Sequence, residues 1–367
     1  MIYLGVVFIY AVLAMLMAYG FEKAPNLITN ENANDLKISV VVIARNEEEY
    51  IQACLKGIIQ QNYPKECYEI IVVDDHSSDK TFTIATNVLS LSGIDFKIIQ
   101  NTEHKGKKQS LIKAIDAAKY GFIITRDADT FTPSANWLST FSSFYHQTKQ
   151  EFVIAPIAIE HQKSILSSLQ EIESAIVSVF TLATDELKIP FLCSGANLMF
   201  SKRLFELCNK YQSHIHIRSG DDVFFLNEVK KAEPHQIAYL KNKEAIVYTY
   251  PEKTFFDLIK QKIRWSGKVF QLNDTFNWIS SLVIAFANFV FVFAVLDAFL
   301  GVFNAKLALF FVFLKLIIDI LLVFLASRFV KVKSNVLFIG MVAILYPLYA
   351  STVAFLATLI KPKWKLK

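Results

Sequence analysis

Cysteine is scarce and carries no pattern: Cys54, Cys67, Cys193 and Cys208 are four in 367 residues, with no C-x-x-C and no metal-ligand spacing. That excludes a redox motif or a cysteine metal module, and the four read as reduced thiols or core filler. Excess charge is also small. The formal net charge is +5, and the basic residues at the C-terminus, Lys361, Lys363, Lys365 and Lys367, abut a hydrophobic segment, which argues for anionic headgroups and against a nucleic-acid partner. From Ile2 to Tyr19 charge is absent altogether, over a length sufficient to span a bilayer. Nothing basic precedes this run and it is too long for the apolar part of a signal peptide, so it reads as an uncleaved anchor.

What the chain has in quantity is apolar residues, 53% of the total, and they are unevenly placed. Three further apolar stretches fill Ser281 to Ile360, with a polar, motif-rich region between them and the anchor. The expected organisation is an N-terminal anchor over 1–21, a cytoplasmic catalytic domain over 22–278, and a C-terminal transmembrane or re-entrant region with a basic tail over 279–367. Ser281 to Phe303 and Leu307 to Ala326 read as an antiparallel hairpin interrupted by Asp297, Lys315 and Asp319. Such charges are expensive against lipid, and the spacing of four puts Lys315 and Asp319 on one helix face. Val336 to Ile360 carries Pro347 at its middle. A bend there into a re-entrant or interfacial pair would keep the terminal lysines on the side of Arg328, Lys331 and Lys333.

The polar region repeats a strand and a helix. Lys37 to Ala44 is a strand, followed by an amphipathic helix carrying Ile51, Leu55, Ile58 and Ile59; Glu69 to Val73 is the next strand, and Phe96 to Ile99 the third. This rhythm predicts an α/β fold with a parallel, Rossmann-like sheet. A fourth apolar run, Phe122 to Ile124, ends abruptly in Asp127-Ala-Asp129. Carboxylates one residue apart at the C-terminal edge of a sheet suit a hard divalent cation and a diphosphate. The other loops at that edge carry Asp74 and Asp75, which suit a base or ribose, and Lys105, Lys107 and Lys108 at a helix start, which suit phosphate. Taken singly, Asp79 is as well explained as a helix cap, and the lysines as a solvated face. His161 to Leu187 reads as a long amphipathic helix lying on the membrane surface or the sheet, and His214 and His216 as strand or loop residues.

The order of Ser39 to Glu47, Asp74-Asp75-x-Ser77-x-Asp79, Gly106-Lys107, Asp127-Ala-Asp129, Ser219-Gly-Asp-Asp-Val-Phe224 and Gln261-Lys-Ile-Arg-Trp265 resembles that of family 2 glycosyltransferases with the GT-A fold. The resemblance covers roughly Ile38 to Trp265. It implies an inverting, metal-dependent transferase in which Ala44, Asn46, Glu47, Asp74, Asp75, Lys107 and Asp127 bind the nucleotide sugar and Asp127 and Asp129 hold Mg or Mn. By the same resemblance Asp222, with Asp221 as the alternative, is the catalytic base. Gln261, Arg264 and Trp265 stand at i, i+3 and i+4 and would contact acceptor and diphosphate, while Cys193 to Met199 would line the acceptor site. Many members carry Glu-Asp where this chain has Gly220-Asp221-Asp222. One anchor with a few C-terminal segments is similar to the layout of ceramide glucosyltransferase and its bacterial relatives, implying a UDP-sugar donor and a lipid acceptor. A processive polysaccharide synthase and a non-catalytic membrane scaffold are the alternatives. The few expected membrane segments oppose the first, and retention of both acidic motifs opposes the second.

Overall fold

The computed structural model describes residues 2–27, 29, 34–190, 192–210, 221–269, 274–301 and 304–360. His214, His216, Ser219, Gly220 and Lys361 to Lys367 lie outside the described residues. The chain divides into two compact units, one built from Met1–Ala24, Ile159–Phe191 and Pro251–Trp364, the other from Pro25–Ala158 and Leu192–Tyr250.

Helix α1 (Ile2–Lys23) opens the chain, and the sheet-bearing unit follows with β1 (Ile38–Ala44), α2 (Ile51–Ile59), β2 (Tyr68–Asp74), α3 (Thr81–Ser90), β3 (Asp95–Gln100), α4 (Lys107–Ala117) and β4 (Phe122–Asp127). β1 lies between β2 and β4 and is parallel to both, and β3 is parallel to β2 on the outside. Val40, Val41, Val42 and the run Ile70 to Val73 are buried, as continuous β-branched strands are when helices cover both faces. Four parallel strands therefore end along one edge, at Ala44, Asp74, Gln100 and Asp127.

Beyond β4 the sheet turns back on itself. After β5 (Thr130–Phe131), α5 (Trp137–Thr148), β6 (Phe152–Ile154) and β7 (Ile157–Ile159), the strand β8 (Leu198–Ser201) pairs antiparallel with both β4 and β6. β9 (Ile237–Tyr239) completes the order β3-β2-β1-β4-β8-β6-β9, and a small sheet joins β5, β10 (Val247–Thr249) and β7. The purely parallel sheet expected from the first half is thus corrected to a mixed one. Its consequence is positional: Leu198 pairs with Thr125, so reversal of β8 delivers the turn before it to the edge where β4 ends. Helices α7 (Lys202–Leu207) and α8 (Asp221–Ala232) follow.

The other unit combines α1 with α6 (Ile165–Glu186), α9 (Phe255–Val269), α10 (Thr275–Leu300), α11 (Ala305–Phe329) and α12 (Val336–Leu359). Among the described residues five helices, α1, α6, α10, α11 and α12, are long and apolar enough to cross a membrane. The amphipathic helix expected over His161 to Leu187 is α6, and it joins that set. Helix α12 continues through Pro347, so two separate re-entrant pieces are not formed. The proline removes one intrahelical hydrogen bond, which a helix packed among others tolerates. Gly20 marks where α1 meets α6: a Cβ there would lie 2.6 Å from the Ala183 carbonyl oxygen, so only glycine permits this approach.

The charges in the apolar helices are paired. Lys315 Nζ, on a side chain 1% exposed, donates to Asp319 Oδ2 at 2.6 Å and to Asn288 Oδ1 at 2.9 Å. Tyr10 donates to the second Asp319 oxygen at 2.8 Å, and Tyr3 to Asp297 at 3.1 Å. The cluster ties α1 to α10 and α11, and a buried pair resists loss of one partner far more than loss of both. Replacement of Lys315 by Met should therefore destabilise the detergent-solubilised protein by about 3 kcal/mol, read as a fall in thermal midpoint. Adding Asp319→Leu should recover much of that loss; a double variant as unstable as the single one would contradict the pairing.

Candidate active site

The site is assembled from six chain segments that reach the C-terminal edge of the parallel strands. The first two brace each other. Asn46, at φ 54°, accepts from the Ser78 amide at 2.9 Å through its side chain, while its own amide donates to Ser77 Oγ at 3.0 Å. The Glu47 amide donates to Thr81 Oγ1 at 2.8 Å, and the Ala44 carbonyl accepts from the Asp75 amide at 2.9 Å. Positive φ at Asn46, and at His76 with φ 61°, is conformational strain that this reciprocal bonding sustains. Asp79 does act at a helix entry: it accepts from the Thr81 amide and hydroxyl, and also from the Glu48 amide.

Asp74 and Asp75 are almost wholly buried, at 0% and 2% exposure, and their carboxylates serve the chain itself. Asp74 accepts from the Ser77 hydroxyl and from Gln100 Nε2 at 3.2 Å. Asp75 accepts from Asn101 Nδ2 and the Lys105 and Gly106 amides, each at 2.9 Å, and lies 2.7 Å from His104 Nδ1. Burial alone would raise the Asp75 carboxyl, but the bonds from Asn101, Lys105 and Gly106 together with His104 hold it below its ordinary value. A bond from Asp75 to a base or ribose would thus compete with contacts that shape the turn before α4. That turn needs its glycine, since Gly106 sits at φ 86°.

The turn aims Lys107 across the edge. Its Nζ lies 2.6 Å from Asp127 Oδ1 and 3.9 Å from Asp221 Oδ2. Burial lowers the Lys107 pKa, yet with 38% of the side chain exposed that effect yields to Asp127, Asp221 and Asp222, which raise it well above its usual range. Lys107 is firmly cationic. Asp127 closes β4 with its side chain 35% exposed, and its carbonyl accepts from Thr130 Oγ1 at 2.6 Å. Asp129 follows on the link to β5, its carbonyl accepting from Thr249 Oγ1 at 3.3 Å.

Asp221 and Asp222 form the first turn of α8, where the helix macrodipole favours negative charge. They divide the work. Asp221 is buried and faces Lys107, whereas Asp222 accepts from the Gly195 amide at 3.1 Å and from the Val223 amide at 2.9 Å. The space between is lined by Lys107, Leu111, Thr125, Gly195, Asp221 and Asp222. A Cβ added to Gly195 would stand 3.7 Å from Asp221 Oδ2 and from Lys107 Nζ. From the expected acceptor segment Gly195 is therefore at the site, but Asn197 is fully buried and bonded inside the fold.

Among the described residues no three His, Cys, Asp or Glu side chains converge on one point. Asp127 and Asp129 offer oxygen ligands only, a donor set that suits Mg or Mn with water and diphosphate oxygens completing the shell. Gln261, Arg264 and Trp265 lie on α9 in the other unit. Gln261 donates to Glu252 at 2.8 Å, Trp265 is 43% exposed with Lys262 Nζ 4.4 Å from its ring centre, and Lys262 also pairs with Glu173.

This combination of sheet, loops and carboxylates defines a class. Residues 39–207 match Glycosyl transferase family 2, and the mixed sheet has the GT-A fold. Among curated proteins, poly-beta-1,6-N-acetyl-D-glucosamine synthases of Staphylococcus aureus and Staphylococcus epidermidis are each 29% identical, over 158 and 151 residues. These alignments cover 43% and 41% of this chain and 36% of each relative, so the chain spans about a third of their length. A mannosyltransferase from Pyrobaculum calidifontis, solved with GDP-Man and Mn2+, shares the fold over the whole chain and 96% of its own, with a TM-score of 0.58 at 14% identity.

The Asp75 contacts predict a pH signature. With Asp75→Asn, an amide nitrogen would face backbone N–H donors, and stability should fall by about 2 kcal/mol at neutral pH. A carboxyl depressed by folding stabilises above its unfolded pKa of about 3.9 and loses that contribution as pH falls toward its folded value. The gap between wild type and variant, measured by denaturant unfolding, should therefore close below about pH 4; a gap constant with pH would refute the assignment.

Proposed function

We propose that the chain catalyses inverting transfer of a sugar from a nucleotide sugar, of the UDP-sugar class, to a membrane lipid at the cytoplasmic face. The observation that carries the reading is the Lys107 ammonium held between Asp127 and Asp221, with Asp222 beside them. In this proposal an acceptor hydroxyl attacks the anomeric carbon as the bond from that carbon to the β-phosphate oxygen breaks. The electron pair leaves with the diphosphate, and the acceptor proton passes to Asp222. Lys107 answers the charge that develops on the leaving group. Asp127 and Asp129 would hold Mg or Mn, which would supply further positive charge for the leaving diphosphate.

The two carboxylates of α8 suit different tasks. Asp221, buried against Lys107, holds the ammonium, while Asp222 is the more open and the better placed to meet a hydroxyl. The loops of Ala44, Asn46 and Glu47 with Asp74 and Asp75 form the nucleoside side, the two aspartates chiefly by fixing loop shape. Gln261, Arg264 and Trp265 are assigned to acceptor and diphosphate through the family resemblance. The lipid acceptor is carried over from the resemblance of the expected membrane layout to that of ceramide glucosyltransferases. A second reading, processive polysaccharide synthesis, is favoured by the names of the curated relatives, and product size separates the two.

The roles can be tested together. Asp222→Asn should reduce turnover by about 100-fold or more while donor binding by titration calorimetry stays near wild type, because a base acts in the transition state. Asp129→Ala should instead lose Mn-dependent binding. Wild-type turnover in Asp222→Asn together with an inactive Asp221→Asn would transfer the base to Asp221. With radiolabelled donor, a small product that enters organic solvent supports the lipid acceptor, and a water-soluble polymer that lengthens with time supports the synthase.

A further inference from the structure

A chain of buried polar contacts joins the two ends of the site through the interior of the sheet-bearing unit. It starts at Arg126, between the strand core and Asp127, with its side chain packed under the β4 to β5 turn. Although Arg126 is 1% exposed, Nη1 and Nη2 make no hydrogen bond among the described residues. Nε donates to Thr130 Oγ1 at 3.1 Å, Thr130 donates to the Asp127 carbonyl, and the guanidinium lies 4.8 Å from the Trp137 ring centre. Trp137, wholly buried, then donates its indole N–H to Asn197 Oδ1 at 3.0 Å.

Asn197 is the far anchor. Its Nδ2 donates to the carbonyls of Pro156 and Ala245, both at 2.8 Å, and its amide donates to the Ser194 carbonyl at 3.1 Å, closing a turn with Gly195 and Ala196 at its centre. The Gly195 amide of that turn donates to Asp222. Between its two partly exposed ends, Asp127 and Asp222, the chain runs through Arg126, Thr130, Trp137, Asn197 and Gly195, all buried, where a polar group is expensive to leave unpaired.

We infer that Arg126, Trp137 and Asn197 are positioning residues that set the separation between the Asp127-Ala-Asp129 end and the Asp222 end of the site. This rests on the reading of Asp222 as the base. The two ends arrive on different strands, β4 and β8, and Asn197 anchors the small turn before β8 through three hydrogen bonds, to Pro156, Ala245 and Ser194. Removing the Trp137 or Asn197 link shifts the Gly195 turn, and Asp222 with it, while the donor side stays in place. Small displacements at a reacting centre are costly in rate.

The test uses substitutions that delete one hydrogen bond and little volume. In the full-length protein in detergent, Trp137→Phe removes only the indole donor and should lower kcat about tenfold or more, with donor KM and the calorimetric donor Kd within about twofold of wild type. Thr130→Val, which removes the hydroxyl at the other end, should raise donor KM instead. The losses from Trp137→Phe and Asp222→Asn should not multiply: on the Asp222→Asn background, followed with radiolabelled donor, Trp137→Phe should cost less than about threefold. Donor binding reports that Trp137→Phe is folded; if it binds no donor, Asn197→Ser takes its place in the same comparison. Unchanged kcat in Trp137→Phe, or the same loss on both backgrounds, overturns the inference. Wild-type turnover in Asp222→Asn alone overturns the assignment of the base instead, so the two failures are distinguishable.

Discussion

Carboxylates gathered at one sheet edge repel each other, and the Lys107 ammonium answers them. Lys107 reaches Asp127 at 2.6 Å and Asp221 at 3.9 Å, with Asp222 adding to the same field. Removing this cation would leave the acidic ends of β4 and α8 facing each other with less compensation at short range. The ion pair thus fixes where Lys107 points, and its position depends in turn on the Gly106 turn that Asp75 clamps. Much of the loop architecture at this edge serves to present that single amine.

Polar groups that resemble binding residues divide between those that meet ligand and those that hold the groups that do. Asp74 and Asp75 carry a family signature yet are spent on Ser77, Gln100, Asn101 and two backbone amides. A carboxylate with so many internal donors is a rigid element, and rigidity at an edge built from loops needs such elements. Asn197 follows the same rule one strand away. The conformations forced at Asn46 and His76 are retained because the two loops satisfy each other's amides, which makes their shape independent of any bound molecule.

Sequence made much of this legible, and the failures have physical causes. Strands β1, β2 and β4 were readable because buried parallel strands are written in nearly unbroken apolar runs, and the Asp127 pair because two acids ending such a run are conspicuous. Lys315 and Asp319 announced their pairing by a spacing of four, and the contact is present at 2.6 Å. The direction of β8 was not readable, since Leu198 to Ser201 is too short for its pattern to reveal its neighbours. Nor was the continuity of α12, where a proline in a packed apolar helix is tolerated although the same residue would break an exposed one. Asn197 looked like a lining residue from its motif, but burial depends on the strand pairings around it, which no local pattern encodes.

Arg126 was the least legible of all. A basic residue beside two acids invites an ion-pair reading, but strand alternation sends Arg126 to the opposite face from Asp127. It therefore enters the core against Trp137, where a ring face, the Thr130 hydroxyl and the nearby Asp127 carboxylate offset the cost of its burial. An apolar residue would fill that space at smaller electrostatic expense. Retaining a guanidinium there makes sense if its directionality matters: Nε holds the turn after Asp127 through Thr130 while the guanidinium plane holds Trp137, and neither a leucine nor a methionine does both. The alternation of one strand thus assigns adjacent residues to adjacent tasks, Asp127 to the open edge and Arg126 to the interior that keeps the edge in register.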